Sequence, residues 1–468
     1  MTKQIPFIII GGGAAAFAAA TKASELGVKT AMINAGLPVG GTCANVGCVP
    51  SKHLLEVGHD YYYPSRNHFQ AVTHGQSTFD FKTAMAVKDE VIDALRQSNY
   101  RKVLDGLENV TFIEGRAQFI AANEVGVDGQ VLRGEQFLIA TGSSPQIAPI
   151  PGIERVKYLT NREALSLRTL PQSLIVIGSG PLGMEFAQMY QHFGTQVTVL
   201  ERDERILMRE EPEISEELRR CLEAEGLAIH TRVNFERVSA EGAVKIVEAR
   251  IAGENRIFRA EQLLMATGVV PNTNDLRLDL VGVKTNRQGG VVVNEMLQTS
   301  TRHIWAAGDV VSRMPLETVA AKEGAIAASN ALEKTQRTID YTTIPHAVFT
   351  MPQVASVGLT EAQLMERIGL CACRTVRIAQ VPKAKAIGEM RGLIKMVINP
   401  DTSVIVGVHI VAPLAADMIH EATLAVKHKL TVDDLIDTVH VFPTLSEGIK
   451  IVAQAFRRDI SRMSCCVE

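Results

Sequence analysis

Two cysteine pairs dominate the chemistry this chain can offer. Cys43 and Cys48 stand in the run Gly40-Gly41-Thr42-Cys43-Ala44-Asn45-Val46-Gly47-Cys48-Val49-Pro50-Ser51-Lys52, and Cys465 and Cys466 are adjacent near the C-terminal end. Four intervening residues put Cys43 and Cys48 about one helical turn apart, so their sulfurs can bond to each other or jointly hold a thiophilic ion. The thiolate is the reactive form, and Lys52 or a helix N-terminus nearby lowers a cysteine pKa. Paired thiolates suit a soft, two-coordinate cation, and a pair on a flexible tail can pass that ion to a second pair by ligand exchange. The two dithiols predict an electron-transfer site and an arm that feeds it, carrying either a soft metal ion or a disulfide. Cys221, Cys371 and Cys373 complete the set of seven and are read as structural.

The elements that must position these residues are marked by glycines. Ile5-Pro6-Phe7-Ile8-Ile9-Ile10 is a short apolar run ending in Gly11-Gly12-Gly13-Ala14-Ala15-Ala16. An Ala-rich helical stretch follows to about Leu26, then a strand over 28–33. Strand, glycine turn, helix, strand, with Gly11, Gly13 and Ala16 in the pattern Gly-x-Gly-x-x-Ala, is a dinucleotide-binding unit. The first glycine makes the tight turn and the second lets backbone approach a pyrophosphate. The small third residue permits close helix–strand packing, with the helix N-terminus facing the anion. The unit recurs as a strand over 174–177, then Gly178, Gly180 and Gly183, a helix, and a strand over 197–200. Each copy is trailed by an apolar strand ending in Ala-Thr-Gly, at Thr141-Gly142 and Thr267-Gly268. One glycine turn is weak evidence, but two copies with matching trailers predict two dinucleotide sites. Ile304-Trp305-Ala306-Ala307-Gly308-Asp309 reads as a further strand ending in an acid. From about Tyr341, strands over 354–360, 392–398 and 404–411 lead into helical stretches near 413–429 and 446–460, which predicts an α+β module.

Composition sets the outer bounds. At 468 residues the chain is too long for one core and predicts roughly three domains. A net charge of −3 gives no basic surplus, so neither nucleic acid nor an anionic membrane is expected as partner. Apolar stretches are broken well short of a membrane span, and the N-terminal one is needed as a strand, so no signal peptide is expected. The cysteines do not resemble a secreted disulfide scaffold, and a cytoplasmic location follows.

The segment from Gly40 to Lys52 resembles the redox-active disulfide helix of the class I pyridine nucleotide-disulfide oxidoreductases, the family of glutathione reductase, dihydrolipoyl dehydrogenase and mercuric reductase. The order of the landmarks is similar over nearly the whole chain. The resemblance implies an α/β, glutathione-reductase-like fold: two dinucleotide-binding (Rossmann-like) domains plus a C-terminal α+β dimerisation domain. Residues 1–150 and 273–340 would form the FAD-binding domain, 151–272 the NAD(P)H-binding domain, 341–460 the interface domain of a homodimer, and 461–468 the tail. It implies FAD on Gly11, Gly13, Ala16, Asn34, Gly41, Thr42, Lys52, Thr141, Gly142 and Asp309, and the pyridine nucleotide on Gly178, Gly180, Gly183, Glu201, Arg202 and Gly268. Cys48 would be the thiolate next to the flavin and Cys43 the more exposed, exchanging sulfur, with Lys52 and Glu185 as an ion pair beside the ring. Asn34 stands where the family usually has an acid, and can still hydrogen-bond a ribose hydroxyl. Glu201 favours NADH, whereas Arg202, Arg205 or Arg209 could hold a 2′-phosphate. The family usually takes NADPH, so NADPH is expected, with NADH as the alternative.

Thiol-exchanging members resembled here end in His-x-His-Pro-Thr-x-x-Glu, the second His being the acid–base. This chain reads His440-Val441-Phe442-Pro443-Thr444-Leu445-Ser446-Glu447. Phe442 cannot accept a thiol proton, and His440, two residues away, is expected to be a structural surface residue. The tail is similar to that of mercuric reductases, whose adjacent cysteines pass Hg(II) to the partner subunit's redox pair. The expected function is reduction of Hg(II), presented as thiol complexes, to Hg(0), with Cys43, Cys48, Cys465 and Cys466 as metal-binding residues and Lys52 and Glu185 supporting the site. Pro181 and Phe442 stand where mercuric reductases generally have tyrosine. The alternatives are an FAD-dependent dithiol or disulfide reductase and a flavoprotein that sequesters Hg(II) without turnover.

Overall fold

The computed structural model describes residues 4–65, 69, 71–72, 75 and 77–462; Cys465 and Cys466 lie outside the described residues. The chain divides into two compact units. One gathers Met1–His53, Thr83–Gln146 and Gly268–Tyr341, the other Leu54–Lys82, Ile147–Thr267 and Thr342–Glu468. No helix among the described residues is long and apolar enough to cross a membrane.

The first unit is built on parallel strands. Ile5–Ile10 lies between Thr30–Asn34 and Gln130–Ile139, with Val110–Glu114 beyond the former and Ile304–Ala306 beyond the latter. A parallel sheet is covered on both faces, so its central strand reads as a continuous apolar run; Phe7, Ile8 and Ile9 are fully buried. The helix Ala14–Glu25 packs against the helix Glu317–Glu333, burying Ala15, Ala16, Ala19, Ala20 and Ala23. A Cβ on Gly324 would stand 2.0 Å from the Ala15 carbonyl oxygen, so this crossing needs a glycine. The strand Gln130–Ile139 also folds back with Glu124–Val127 and Ala117–Ala121 into an antiparallel meander, which is not among the sequence-based expectations.

The second unit holds a parallel sheet in the order Ala228–His230, Gln196–Leu200, Ser173–Ile177, Gln262–Met265. An antiparallel sheet of Asn234–Glu241, Val244–Ile251 and Glu254–Ala260 belongs to the same unit. The C-terminal part is an antiparallel sheet in the order His346–Val348, Gln353–Gly358, Ile405–Ala412, Leu393–Ile398, Ala372–Arg377. Its Ile394, Met396, Val408 and Ile410 share a core with Ala415 and Ala422 of the helix Ala415–His428 and with Ile449 and Val452 of the helix Glu447–Gln454. The fold class is the expected one: α/β, with two dinucleotide-binding units and an α+β C-terminal module.

Candidate active site

Cys43 and Cys48 are disulfide-bonded, with their Cα atoms 4.6 Å apart. They do not share one helix. Cys43 lies in the short helix Gly41–Val46 and Cys48 opens the long helix Cys48–Tyr62. Gly47 makes the break, with φ −132° and ψ −115°; a Cβ there would come within 2.9 Å of the Thr42 carbonyl oxygen. The break sets Cys48 at a helix N-terminus, where the dipole favours a thiolate. Cys48, at the start of its helix, is exposed, whereas Cys43, set within its own short helix, is half-buried. Lys52 lies one turn along the Cys48 helix.

Three residues not singled out in the sequence shape this site. Buried Asn45 donates its side-chain amide to the carbonyls of Pro38, Val39 and Gly41 and accepts from Arg96 Nε at 3.0 Å. Glu317, the first residue of its helix, places Oε2 3.8 Å from Cys48 Sγ. Tyr100 donates to Glu317 Oε1 at 3.5 Å and packs edge-on against Phe17 at 5.0 Å. Burial raises the Glu317 carboxyl, against the Tyr100 hydrogen bond that lowers it; burial and Glu317 together push Tyr100 up to about 12. An acid at a helix start is ordinary, so no local signal marked Glu317.

The first glycine turn meets the redox loop. Gly11 has φ +144°, and a Cβ on it would lie 2.1 Å from the Ala140 carbonyl oxygen; a Cβ on Gly41 would lie 2.8 Å from the Gly13 Cα. Gly40 N–H donates to the Gly12 carbonyl at 2.9 Å. Ala16 is buried and Thr42 is exposed on the short helix. The helix Ala14–Glu25 starts at Gly13 with no side-chain cap, so its first amides are available to a pyrophosphate. Asn34, at the end of its strand, donates to Leu37 O at 2.9 Å and turns its Oδ1 toward Gly12. Thr141 and Asn272 exchange hydrogen bonds of 2.7 and 2.9 Å, beside Gly142. Ser143 donates to Asp309 at 2.7 Å; burial raises the Asp309 carboxyl and Ser143 opposes the rise. These residues fit FAD: an uncapped helix N-terminus, side-chain-free turns, and polar groups at the strand ends.

The second turn is built alike. A Cβ on Gly178 would lie 2.4 Å from the Ala266 carbonyl oxygen, one on Gly183 would lie 2.1 Å from the Gly178 carbonyl oxygen, and none would be obstructed at Gly180. The helix Pro181–His192 starts uncapped at Gly180, with Pro181 in its first turn, where no amide is lost to the helix. Buried Glu201 accepts from Ser179 N, Ser179 Oγ and Asp203 N at 2.7, 2.7 and 2.9 Å, so it orders the glycine turn. Arg202 is 80% exposed beside Asp203, and Arg205 donates to Met208 O at 3.0 Å. Gly268 accepts from Gln146 N at 2.8 Å. Buried Glu185 accepts from Phe349 N at 2.9 Å. Lys52 and Glu185 belong to different units, and their pairing remains what the resemblance implies.

Phe442 is half exposed and carries no proton-accepting group. His440 is not a surface residue: its side chain is 9% exposed, Nε2 meets Glu421 at 2.6 Å and Nδ1 meets Thr438 O at 3.0 Å. Both ring nitrogens are engaged, so His440 does not replace the missing base. Buried Cys221 is pushed up to about 12, chiefly by burial. Cys371 and Cys373 cluster with Glu361; burial and that carboxylate push both thiols up, and Lys395 holds Glu361 at 2.8 Å.

The pyridine nucleotide-disulphide oxidoreductase family model matches residues 6–324, and that family's dimerisation domain matches residues 344–453. The chain is 41% identical over 461 residues to a mercuric reductase of Staphylococcus aureus, spanning 98% of this chain and 84% of that protein. It is 39% identical over 469 residues to a mercuric reductase of Streptomyces lividans, spanning 98% and 97%. The HOCl-induced flavoprotein disulfide reductase RclA from Escherichia coli matches in structure with a TM-score of 0.85 at 28% identity, over 96% of this chain and 99% of that one. Its Cu(II) complex gives 0.87 at 28% identity, over 97% and 100%. A dithiol pair against a glycine turn, a second glycine turn and both family domains in sequence order converge: the chain belongs to the pyridine nucleotide-disulphide oxidoreductases, with mercuric reductases among its relatives.

Proposed function

We propose that this oxidoreductase reduces Hg(II) to Hg(0) with electrons from NAD(P)H, through FAD and the Cys43–Cys48 dithiol, and so detoxifies mercury. The observation that carries the reading is a redox-active cysteine pair in a chain that offers no acid–base group at Phe442; near-full-length relatives named mercuric reductase support it. FAD would rest on Gly11, Gly13, Ala16, Asn34, Gly41, Thr42, Thr141, Gly142 and Asp309. NADPH or NADH would rest on Gly178, Gly180, Gly183, Glu201, Arg202 and Gly268, and the bound pair supplies two electrons at the disulfide. Cys43 and Cys48 open to the dithiol. Hg(II) arriving as a bis-thiolate exchanges its ligands for these two sulfurs, and the displaced thiolates leave with the cysteine protons. A second electron pair neutralises the ion, and Hg(0) has little affinity for thiolate. Lys52 and Glu185 would pair beside the flavin. Cys465 and Cys466 would deliver Hg(II) to the partner subunit of a homodimer, the assembly that the dimerisation domain supports. The enzyme would act in the cytoplasm, with FAD domain 1–150 and 273–340, nucleotide domain 151–272 and interface domain 341–460.

Purified holoprotein should oxidise NADPH on addition of Hg(II) with excess small thiol, and release volatile mercury. Cys43→Ser and Cys48→Ser should each lower that rate about 1000-fold or more, some 4 kcal/mol at the transition state. Cys465→Ala/Cys466→Ala should slow it about tenfold when thiol is in excess. Turnover of a disulfide with no response to Hg(II) would move the chain to the disulfide reductases. Tight Hg(II) binding without NADPH oxidation would leave a sequestering protein. Because one solved relative is a Cu(II) complex, Cu(II) is the competing ion to include.

A further inference from the structure

The redox pair has a third potential donor beside it. Cys43 Sγ, Cys48 Sγ and a Glu317 carboxylate oxygen all lie within 4.8 Å of one another. Cys48 Sγ and Glu317 Oε2 are 3.8 Å apart. An ion bonded to sulfur at about 2.3 Å and to carboxylate oxygen at about 2.1 Å separates the two donors by about 3.6–3.8 Å at tetrahedral to trigonal angles. The observed spacing is therefore a ligand spacing once reduction frees the sulfurs. The carboxylate is aimed: its helix fixes the backbone, and Tyr100, packed on Phe17, engages Oε1 and leaves Oε2 toward Cys48.

We propose that Glu317 is the third donor to an ion held by Cys43 and Cys48, and that it sets which divalent ions the pair accepts. The inference rests on the reading of that pair as the ion-binding dithiol. Two thiolates alone select soft ions that are content with linear coordination, as Hg(II) is. A hard oxygen completes a site for ions that require three or four ligands, such as Zn(II) and Cd(II). Glu317 thus broadens the site from mercury toward borderline divalent ions, which would occupy it as inhibitors because they are not reduced there.

The test reads metal occupancy rather than turnover. Dithiol-reduced, FAD-loaded protein is exposed to Zn(II), Cd(II) or Hg(II), then alkylated, and protection is scored by mass spectrometry on the peptide carrying Cys43 and Cys48. Glu317→Ala should raise the Zn(II) and Cd(II) concentrations needed for half-protection about tenfold and leave the Hg(II) concentration within about threefold. The isosteric Glu317→Gln, which keeps an oxygen but not the charge, should fall between and decides the matter if the alanine variant fails to retain flavin. Equal Zn(II) and Cd(II) protection in wild type and both variants would overturn the proposal. Hg(II)-dependent NADPH oxidation by wild type, measured separately, tests the parent reading, so the two can fail independently.

Discussion

Asn45 is the side chain that holds the redox loop in shape. Its amide serves three carbonyls of the segment 38–41 and its oxygen takes Arg96, so one buried residue ties together the turn that carries Cys43. Orphaning a buried polar group costs about 1–3 kcal/mol. Asn45→Ala should therefore lower the stability of the holoprotein by about 2–3 kcal/mol in denaturant unfolding, and speed flavin loss, with both cysteines intact. A change within about 0.5 kcal/mol would show that the loop holds itself. The contrast with the cysteines explains what sequence can carry at this scale. Cys43 and Cys48 announce themselves because a rare residue type recurs at a chemically meaningful spacing. Asn45 acts on backbone carbonyls, which have no sequence identity, and Glu317 stands 269 positions from Cys48. Phe442 was legible only as a substitution in a known pattern, whereas the engagement of both His440 nitrogens needed coordinates.

Among elements, the buried apolar strands were readable, the antiparallel Gln353–Gly358, Leu393–Ile398 and Ile405–Ala412 included, and the polar antiparallel strands were not. Ile5–Ile10 and Ser173–Ile177 sit inside sheets covered on both faces, so they are unbroken apolar runs bounded by glycine. Glu254–Ala260 has one buried residue in seven, so its polar sequence gives no strand period to detect. The Ala-rich helix Ala14–Glu25 was legible as a helix, but its partner was not, since their contact depends on the lack of a side chain at Gly324. That contact makes a test with a reversed sign. In an exposed helix interior Gly→Ala adds about 1 kcal/mol of stability. Here the new methyl would meet the Ala15 backbone at 2.0 Å, and overpacking of this kind costs about 1–3 kcal/mol or more. Gly324→Ala should therefore destabilise the protein and weaken FAD retention, read as a lower thermal midpoint and released flavin fluorescence. A stabilised variant would mean that the two helices have room to separate.

At the scale of the whole chain, the second unit is assembled from three distant segments, and Glu225 is where they meet. It accepts from Tyr63 at 2.6 Å, Gln188 at 2.8 Å and Arg391 at 2.6 Å, with His192 at 3.1 Å. Burial alone would raise this carboxyl, but the hydrogen bonds of His192, Tyr63 and Gln188 outweigh it and hold the group at about 2. His59 is buried against the rings of Tyr63 and His192; burial, and then His192 beside it, lower it to about 4. Both shifts act in the same direction on acidification, in successive windows. The unfolded chain protonates His59 near its ordinary value of 6.5 while the folded chain resists, so stability present above that pH is lost as it falls toward 4. Glu225 then loses its contribution between its ordinary 4.5 and about 2. A shift of this size at His59 is worth up to about 3 kcal/mol. Thermal unfolding of the holoprotein at constant ionic strength should therefore show the midpoint falling from pH 6.5 toward 4. His59→Phe keeps the ring packing and removes the titrating group, so the variant should lose less stability over that interval and fall in step with wild type only below it. Parallel slopes for the two proteins between pH 6.5 and 4 would mean that His59 takes up its proton in the folded state, and that the acid sensitivity of this unit begins at Glu225.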